Sequence, residues 1–213
     1  NENQYFSVRD NMLMNHSGNT LIKYTGTDNK PGIPYGIETI RSHAFFGSQA
    51  EYIEIPETVS YIDDYAFVGC TYLKSIEIPE RVEYIGKGCF FSCPYLNSVV
   101  LPQGIEKICD DTFYACPSLQ ELIIPESVLS IGTDILSPSD NISYNPVIYG
   151  FYRSPAKEYA ENNNITYKMI GDVNNDSIIN ASDSSYVLSD YASVSSGKES
   201  SLNHSQAICA DIN

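Results

Sequence analysis

Five oxygen-bearing side chains are spaced along residues 172–183 in a way that suits a hard cation. They are Asp172, Asn174, Asp176, Asn180 and Asp183. Because the first three alternate, their oxygens can converge on one point, and Ca²⁺ takes roughly six to eight oxygen ligands. The backbone carbonyl of Ile178 would join them, since position 7 of such a loop binds through its main chain. The spacing therefore predicts a Ca²⁺ site in this segment.

Two positions depart from the usual form of this loop, which is the EF-hand loop. Position 6 is usually Gly, because the chain turns sharply there, and here it is Ser177. Position 12 is usually Glu, and the shorter Asp183 has less reach as a bidentate ligand. An alternative interpretation stays open, in which the segment is a surface turn rich in Asn and Asp whose side chains cap their own backbone.

The residues around the loop resemble a known calcium module. Gly171 precedes the loop, and Ser184-Ser-Tyr-Val-Leu-Ser-Asp-Tyr191 follows it as a single helix. Ala210-Asp-Ile-Asn213 looks like the opening of a second repeat. Residues 171–213 therefore resemble a type I-like dockerin whose second repeat is truncated.

This resemblance implies further site residues. Asp211 and Asn213 would be the first ligands of a second Ca²⁺ site. The residues expected to face a cohesin module are Ala181, Ser182, Leu188, Ser189 and Ser193. Many dockerins carry Ser or Thr at the first of these positions, so Ala181 leaves the cohesin class open.

A second strong signal in the sequence is a repeat of 23 residues, which lies before these groups. Strand-like segments recur as Ile53-Glu-Ile-Pro56, Ile76-Glu-Ile-Pro79, Val99-Val-Leu-Pro102 and Leu122-Ile-Ile-Pro125. Apolar columns follow each Pro, among them Ile62, Ile85, Ile108 and Ile131, and then Phe67, Phe90 and Phe113. A fixed period of this length indicates a solenoid, in which each coil is a short strand plus a return path and stacked coils share one core.

The columns resemble the BspA-type bacterial leucine-rich repeat, in which I-x-I-P opens a coil and F-x-x-C-x-x-L closes it. The expected fold is α+β, mainly a β solenoid. Four units follow from this: a β-hairpin cap at 1–30, the solenoid at 31–150, a helix–strand cap at 151–170, and the dockerin at 171–213. The hairpin would turn across residues 15–19 and the cap helix would begin at Ser154-Pro155.

Six cysteines do not indicate a disulfide framework. Cys70, Cys93 and Cys116 share one column, so they form a ladder of side chains on neighbouring coils, too far apart for the usual disulfide geometry. Cys89 and Cys109 fall in other columns, and Cys209 lies in the dockerin-like segment. We expect small apolar core residues rather than bridges or a zinc site.

Composition excludes several classes of function. The net charge of −15 argues against nucleic acid as a partner, and no apolar stretch is long enough to span a membrane. His16, His43 and His204 are scattered, and no nucleophile or phosphate-binding motif is present, so we expect no enzyme. No signal peptide opens the sequence, and the dockerin resemblance implies secretion with a removed leader.

One face of the strands remains a candidate binding surface. By alternation, Glu54, Glu77, Val100 and Ile123 point outward, with Tyr52 beside them. The face is acidic at one end and apolar at the other. Two alternatives stay open: the C-terminal cap or the dockerin-like segment covers the apolar end, or two exposed aliphatic side chains have no functional meaning.

Together these features predict a non-catalytic secreted component of a cellulosome-like assembly. A Ca²⁺-dependent dockerin would attach it to the cohesin of a scaffold protein, and the solenoid would display a surface for an unknown protein or glycan. Two alternatives differ in kind. One is a cell-surface or host adhesion protein with a purely structural calcium module, and the other is an inhibitor of a partner enzyme.

Overall fold

Three antiparallel strands form the N-terminal end of the part that the computed structural model describes, which is residues 5–136, 145–185, 187, 188, 200, 202, 206 and 210. They are β1 (Phe6–Arg9), β2 (Met12–Asn15) and β3 (Thr20–Tyr24). Asp10 and Asn11 join β1 to β2 with φ values of 50° and 60°, as a tight hairpin turn requires. β2 and β3 form the hairpin predicted across residues 15–19, and β3 pairs in parallel with the first coil.

Each coil carries two short strands, which build two parallel sheets. Sheet A continues from β3 through β4 (Thr39–Ile40), β6 (Tyr61–Ile62) and β8 (Tyr84–Ile85). Farther along, β10 (Lys107–Ile108) pairs with β12 (Ser130–Ile131) in the same way. Sheet B contains β5 (Tyr52–Ile53), β7 (Ser75–Ile76), β9 (Ser98–Val100), β11 (Glu121–Ile123), β13 (Val147–Gly150) and β14 (Thr166–Met169).

The strand register confirms the 23-residue period. Ile53 pairs with Ile76 in sheet B, and Ile62 pairs with Ile85 in sheet A. The sheet A strands differ from the sequence-based expectation of one strand and an irregular return path. Each of these strands from β4 onward is two residues long and turns one Ile towards the core. A strand of two residues is too short to show an alternating sequence pattern.

The core is a stack of identical side chains from successive coils. Phe45, Phe67, Phe90 and Phe113 are fully buried, and their ring centroids lie 5.2, 5.3 and 5.5 Å apart in turn. Stacked coils therefore bury one continuous apolar interior that no coil could form alone.

The cysteine ladder lies beside these rings. The thiols of Cys70, Cys93 and Cys116 donate to backbone carbonyls of the phenylalanine ladder at 3.2, 3.3 and 3.1 Å. These three, Cys89 and Cys109 are all buried free thiols. Burial raises the pKa of the Cys89 thiol well above its usual value, so the group stays protonated and serves as a small core residue.

A helix and a strand follow the last coil. The helix α1 (Pro155–Asn162) begins after Ser154, with Pro at its first position, and buries Ala156 and Ala160. β14 then pairs in parallel with β13 and extends sheet B by one strand. This is the helix–strand arrangement that the sequence predicts. Farther along, residues 181–185, 187 and 188 are helical.

Candidate functional site

The backbone of the predicted calcium loop is held by its own polar side chains. The Asp172 carboxylate accepts hydrogen bonds from the amides of Asp176 at 3.1 Å and Ser177 at 2.9 Å. Asn174 Oδ1 accepts the Asp176 amide at 2.9 Å, and Asp176 Oδ1 accepts the amide of Ile178 at 2.8 Å. Ser177 has a φ of 68°, so the loop makes its sharp turn with serine at the position where glycine is usual.

Asp183 ties the end of the loop to its beginning. Its Oδ1 accepts the amides of Val173 at 2.8 Å and Asn174 at 3.2 Å, and its Oδ2 accepts the Asn180 amide at 2.9 Å. Burial alone would raise the pKa of this carboxyl, but these amide donors together outweigh burial and hold the pKa below its usual value. Asp183 is 3 % exposed and Asp172 is 5 % exposed, so the first and last predicted ligands are both buried acids.

The chemistry of this donor set suits Ca²⁺, but its geometry does not form a compact metal cluster. Asp172 and Asp183 make no ion pair with any residue that the structure describes. Within the same residues, no three His, Cys, Asp or Glu side chains come together as metal ligands would. The observed contacts are those of a turn that caps its own backbone, which is also the base of an oxygen-rich cation loop.

A second small core joins this loop to the end of the solenoid. Tyr149 on β13, Ile170 after β14 and Val173 in the loop are buried together. Ile123 on β11 and Val187 in the following helical segment pack against them. The loop is therefore attached to sheet B through apolar contacts rather than through a linker alone.

The predicted cohesin-facing residues lie on and after the helical segment. Ala181, Ser182 and Leu188 are exposed, so these three are accessible to a partner. Ser189 and Ser193, together with the second-site residues Asp211 and Asn213, lie outside the described residues.

Sheet B presents the predicted outward column, with one change at its apolar end. Tyr52, Glu54, Glu77 and Val100 are exposed, and Val100 retains 55 % of its accessible surface. Ile123 is only partly exposed, because it packs on the second core. The apolar end of the face is therefore shorter than the sequence suggested, and the alternative that the C-terminal part covers it holds for this residue.

Two tyrosines on sheet A lie outside every prediction made from the sequence. Tyr61 and Tyr84 stack with ring centroids 4.5 Å apart and planes 10° from parallel. The pair could have been found from the sequence, because residues 23 positions apart occupy equivalent places on neighbouring coils.

The repeat region matches the model of a known family. Residues 23–144 match the BspA type leucine rich repeat region, in six copies. The chain belongs to the BspA-type leucine-rich repeat family. This agrees with the solenoid and its period, and the match ends before the calcium-loop segment begins at residue 171.

Solved structures share this fold. A leucine rich cell surface protein from Faecalibacterium prausnitzii is 29% identical, with a TM-score of 0.57, over 65% of this chain and 41% of that one. The pneumococcal vaccine antigen PcpA is 19% identical, with a TM-score of 0.62, over 78% and 47%. A leucine-rich repeat protein from Bacteroides ovatus is 25% identical, with a TM-score of 0.50, over 68% and 45%. The chain thus spans less than half the length of these three proteins.

A comparison with curated protein sequences finds no significant match. Among the described residues, no helix has the length and apolar character needed to cross a bilayer.

Proposed function

We propose that this chain is the binding part of a bacterial extracellular protein, that it presents the outward face of sheet B to a protein partner, and that it catalyses no reaction. The observation that carries the proposal is the exposed row of Tyr52, Glu54, Glu77 and Val100 on strands whose other side is buried core. Aromatic and aliphatic groups beside charged ones are the composition expected of a protein-binding surface.

The solenoid supports this role because it holds the row rigidly. Each strand of the row pairs with the next coil, and the side chains beneath it belong to the continuous core. A rigid surface loses little conformational freedom on binding, which favours affinity. The cell-surface description of the Faecalibacterium relative favours an extracellular location.

Site-specific photo-crosslinking tests the proposal. A photoreactive residue at Val100 is compared with the same residue at Leu129, which is 71% exposed and outside the row. Both proteins are presented to arrays of immobilised extracellular-matrix proteins, bacterial surface proteins and glycans. We expect discrete adducts with a protein from Val100 and none from Leu129. Equal labelling from both positions, or adducts with glycans only, contradicts the proposal.

A second function is favoured by the hydrogen-bonded calcium loop. We infer that residues 171–213 form a dockerin-like module that binds Ca²⁺ and docks onto a cohesin through Ala181, Ser182 and Leu188. The buried acids Asp172 and Asp183, which lack an ion-pair partner among the described residues, support a cation in the loop. Calcium would neutralise these carboxylates and fix the start of the helical segment.

In this proposal each ligand has a defined source. Carboxylate oxygens would come from Asp172, Asp176 and Asp183, and neutral oxygens from Asn174, Asn180 and the Ile178 carbonyl. Asp211 and Asn213 would begin a second site. With three carboxylates in the first site, the dissociation constant should fall at roughly 10⁻⁷–10⁻⁴ M.

Binding to a panel of cohesins separates the two functions. The chain is compared with the Asp172→Ala, Asp176→Ala double variant, each with Ca²⁺ and with a chelator. The control is Glu106→Ala with Glu126→Ala, which removes two exposed carboxylates elsewhere. Docking predicts Ca²⁺-dependent capture by the parent and the control only. If no cohesin binds while the loop still takes up Ca²⁺, the calcium module is structural and the adhesion function stands alone.

A further inference from the structure

The outward side of sheet B contains a groove along its first three strands, β5, β7 and β9. The cavity has a volume of about 300 Å³. Its apolar lining comes from Ile55, Ile76, Ile78 and Val100, which belong to three successive coils. Ile78 is 8% exposed and Val100 is 55% exposed, so the groove has a buried floor and an accessible apolar edge.

Strand pairing explains why the sheet opens at this place. β9 and β11 pair at three consecutive positions, whereas β7 and β9 pair only at Ser75 and Ser98. The coils therefore separate beyond the first residue of these strands, and the groove lies where the ladder is interrupted.

The interruption leaves backbone donors unused. On the neighbouring coils, the Leu101 amide donates to the Ile123 carbonyl at 3.0 Å. The equivalent amides of Ile55 and Ile78 donate to no residue in the described part of the chain. Backbone donors at such a site usually find a partner, so the gap between these coils is polar as well as apolar and can receive an acceptor group.

The rim of the groove carries net negative charge, and the charge of Lys30 offsets that of Glu77 only at long range, without an ion pair. Glu57, Glu77 and Glu80 line it, and none of the three forms an ion pair with a described residue. The neighbouring Glu54 differs, because its Oε1 lies 2.7 Å from Lys30 Nζ. Glu80 Oε2 accepts a hydrogen bond from the Gln103 amide at 3.2 Å, which leaves its negative charge in place. Three carboxylates around an apolar floor favour a ligand that carries both positive charge and aliphatic side chains.

We propose that this groove binds an extended basic segment of a partner protein, in which Lys or Arg alternates with aliphatic residues. Alternate side chains of a strand point to opposite sides, so one set can enter the apolar floor while the other reaches the carboxylates. This inference rests on the proposed protein-binding function of sheet B and names the partner's chemistry.

The charge of the chain excludes two other occupants. A second copy carries a net charge of −15 and would be repelled from an acidic groove. The segments outside the described residues, such as 137–144 and 189–199, are each neutral or net negative in sequence. These stretches therefore do not supply the basic segment, and the proposed occupant is a partner protein.

Titration calorimetry with short capped peptides tests the proposal. The probe alternates Lys and Val, and the comparison peptides alternate Lys with Ser and Glu with Val. We expect the Lys–Val peptide to bind the chain most tightly. In the Glu77→Gln, Glu80→Gln double variant its affinity should fall about threefold to tenfold, since two exposed charge pairs are lost.

Two controls make the result decisive. Glu106→Gln with Glu126→Gln removes the same charge elsewhere and should change affinity less than about twofold, because screening weakens distant charges. Val100→Ser should weaken the Lys–Val peptide and leave the Lys–Ser peptide unchanged. Equal loss in both glutamine pairs, or equal binding of the Lys–Val and Lys–Ser peptides, overturns the groove. If the peptide fails while Val100 still crosslinks a protein, the groove chemistry is wrong and the sheet B function stands.

Discussion

The solenoid and the loop of residues 172–183, the predicted Ca²⁺ site, order their backbones in opposite ways. In the solenoid, each coil is held by apolar columns that recur in its neighbours, such as the stacked rings of Phe67 and Phe90. In residues 172–183, the chain is held by carboxylates and amides that accept hydrogen bonds from amides a few residues away. Among the described residues, the apolar support of this segment comes from the small core around Tyr149 and Val173.

This difference indicates which substitutions should destabilise each region. Loss of one buried ring in the solenoid also removes support from the coils on both sides, since a repeat depends on its neighbours. The loop depends on local polar contacts and on charge, so a cation should matter more to it than any single apolar side chain. Four changes test this contrast.

The largest effect should come from the phenylalanine ladder. Phe90→Ala removes a fully buried ring that stacks on both neighbours, and should lower the free energy of unfolding by about 3–5 kcal/mol. The control is Phe91→Ala, because Phe91 is half-buried and stacks only on Tyr114, which is worth about 0.5–1.5 kcal/mol. Chemical unfolding measures both. Equal losses would mean that the ladder is not the main support of the coils.

Calcium should have the next largest effect, confined to the loop. At a free concentration of roughly one hundred times its dissociation constant, a bound ion stabilises the folded loop by about 2.7 kcal/mol. Hydrogen exchange should therefore slow at the amides of Asp176, Ser177 and Ile178, and should not change at core amides such as Phe90. The Asp172→Ala, Asp176→Ala variant should show no slowing. Equal slowing in the variant, or protection spread evenly over the solenoid, contradicts a cation site in this loop.

These two regions also differ in how far the sequence predicts them. The repeated columns predict the solenoid, its period and its buried faces, because each column offers several independent copies of one signal. The sheet A strands could not be predicted from the sequence, because a strand of two residues shows no alternation of buried and exposed side chains. The partial burial of Ile123 could not be predicted either, since it depends on Tyr149 and Ile170 meeting it from distant parts of the sequence.

The groove in sheet B was also beyond sequence reasoning. Glu57 and Glu80 are visible as a column, but their relation to Ile78 depends on an interrupted strand ladder. The residue types do not show whether two neighbouring strands pair at one position or at three. In residues 172–183, the ligand spacing predicts which side chains would bind a cation, and that assignment stays a prediction. The hydrogen bonds that these side chains accept from backbone amides could not be predicted from the spacing.

A glycine between coils should give the third effect. A Cβ added at Gly86 would collide with the backbone of Asp63 and Asp64 on the preceding coil, so Gly86→Ala should cost about 1–3 kcal/mol. Gly32→Ala is the matched control, because its Cβ would meet only the flexible end of Glu54, at 3.4 Å, and should be nearly neutral. Thermal unfolding of both variants decides whether close contact between coils limits stability. Similar melting temperatures would show that the coils can separate without cost.

The smallest effect should come from a carboxylate that accepts a hydrogen bond from the neighbouring coil. Asp110 Oδ1 accepts the Thr133 amide of the next coil at 2.9 Å. This amide lowers the pKa of the Asp110 carboxyl against the opposing effect of burial, and the Thr133 hydroxyl and the charge of Lys87 lower it further. A lowered pKa means that the contribution to stability is present above the unfolded value of about 3.9 and is lost as the pH falls through the lower, folded value.

Asp110→Asn should therefore lower the urea midpoint at neutral pH, and the difference from the parent should shrink as the solution is acidified below about pH 3.9. Glu106→Gln, at an exposed position without an ion pair among the described residues, should show no such narrowing. Because Asp110 acts between coils and not in the loop, Ca²⁺ should leave the Asp110→Asn difference unchanged. A difference that persists in acid would mean that the lost charge is irrelevant. If Ca²⁺ abolished the difference in urea midpoint between Asp110→Asn and the parent, the cation would be acting on the solenoid as well as on the loop.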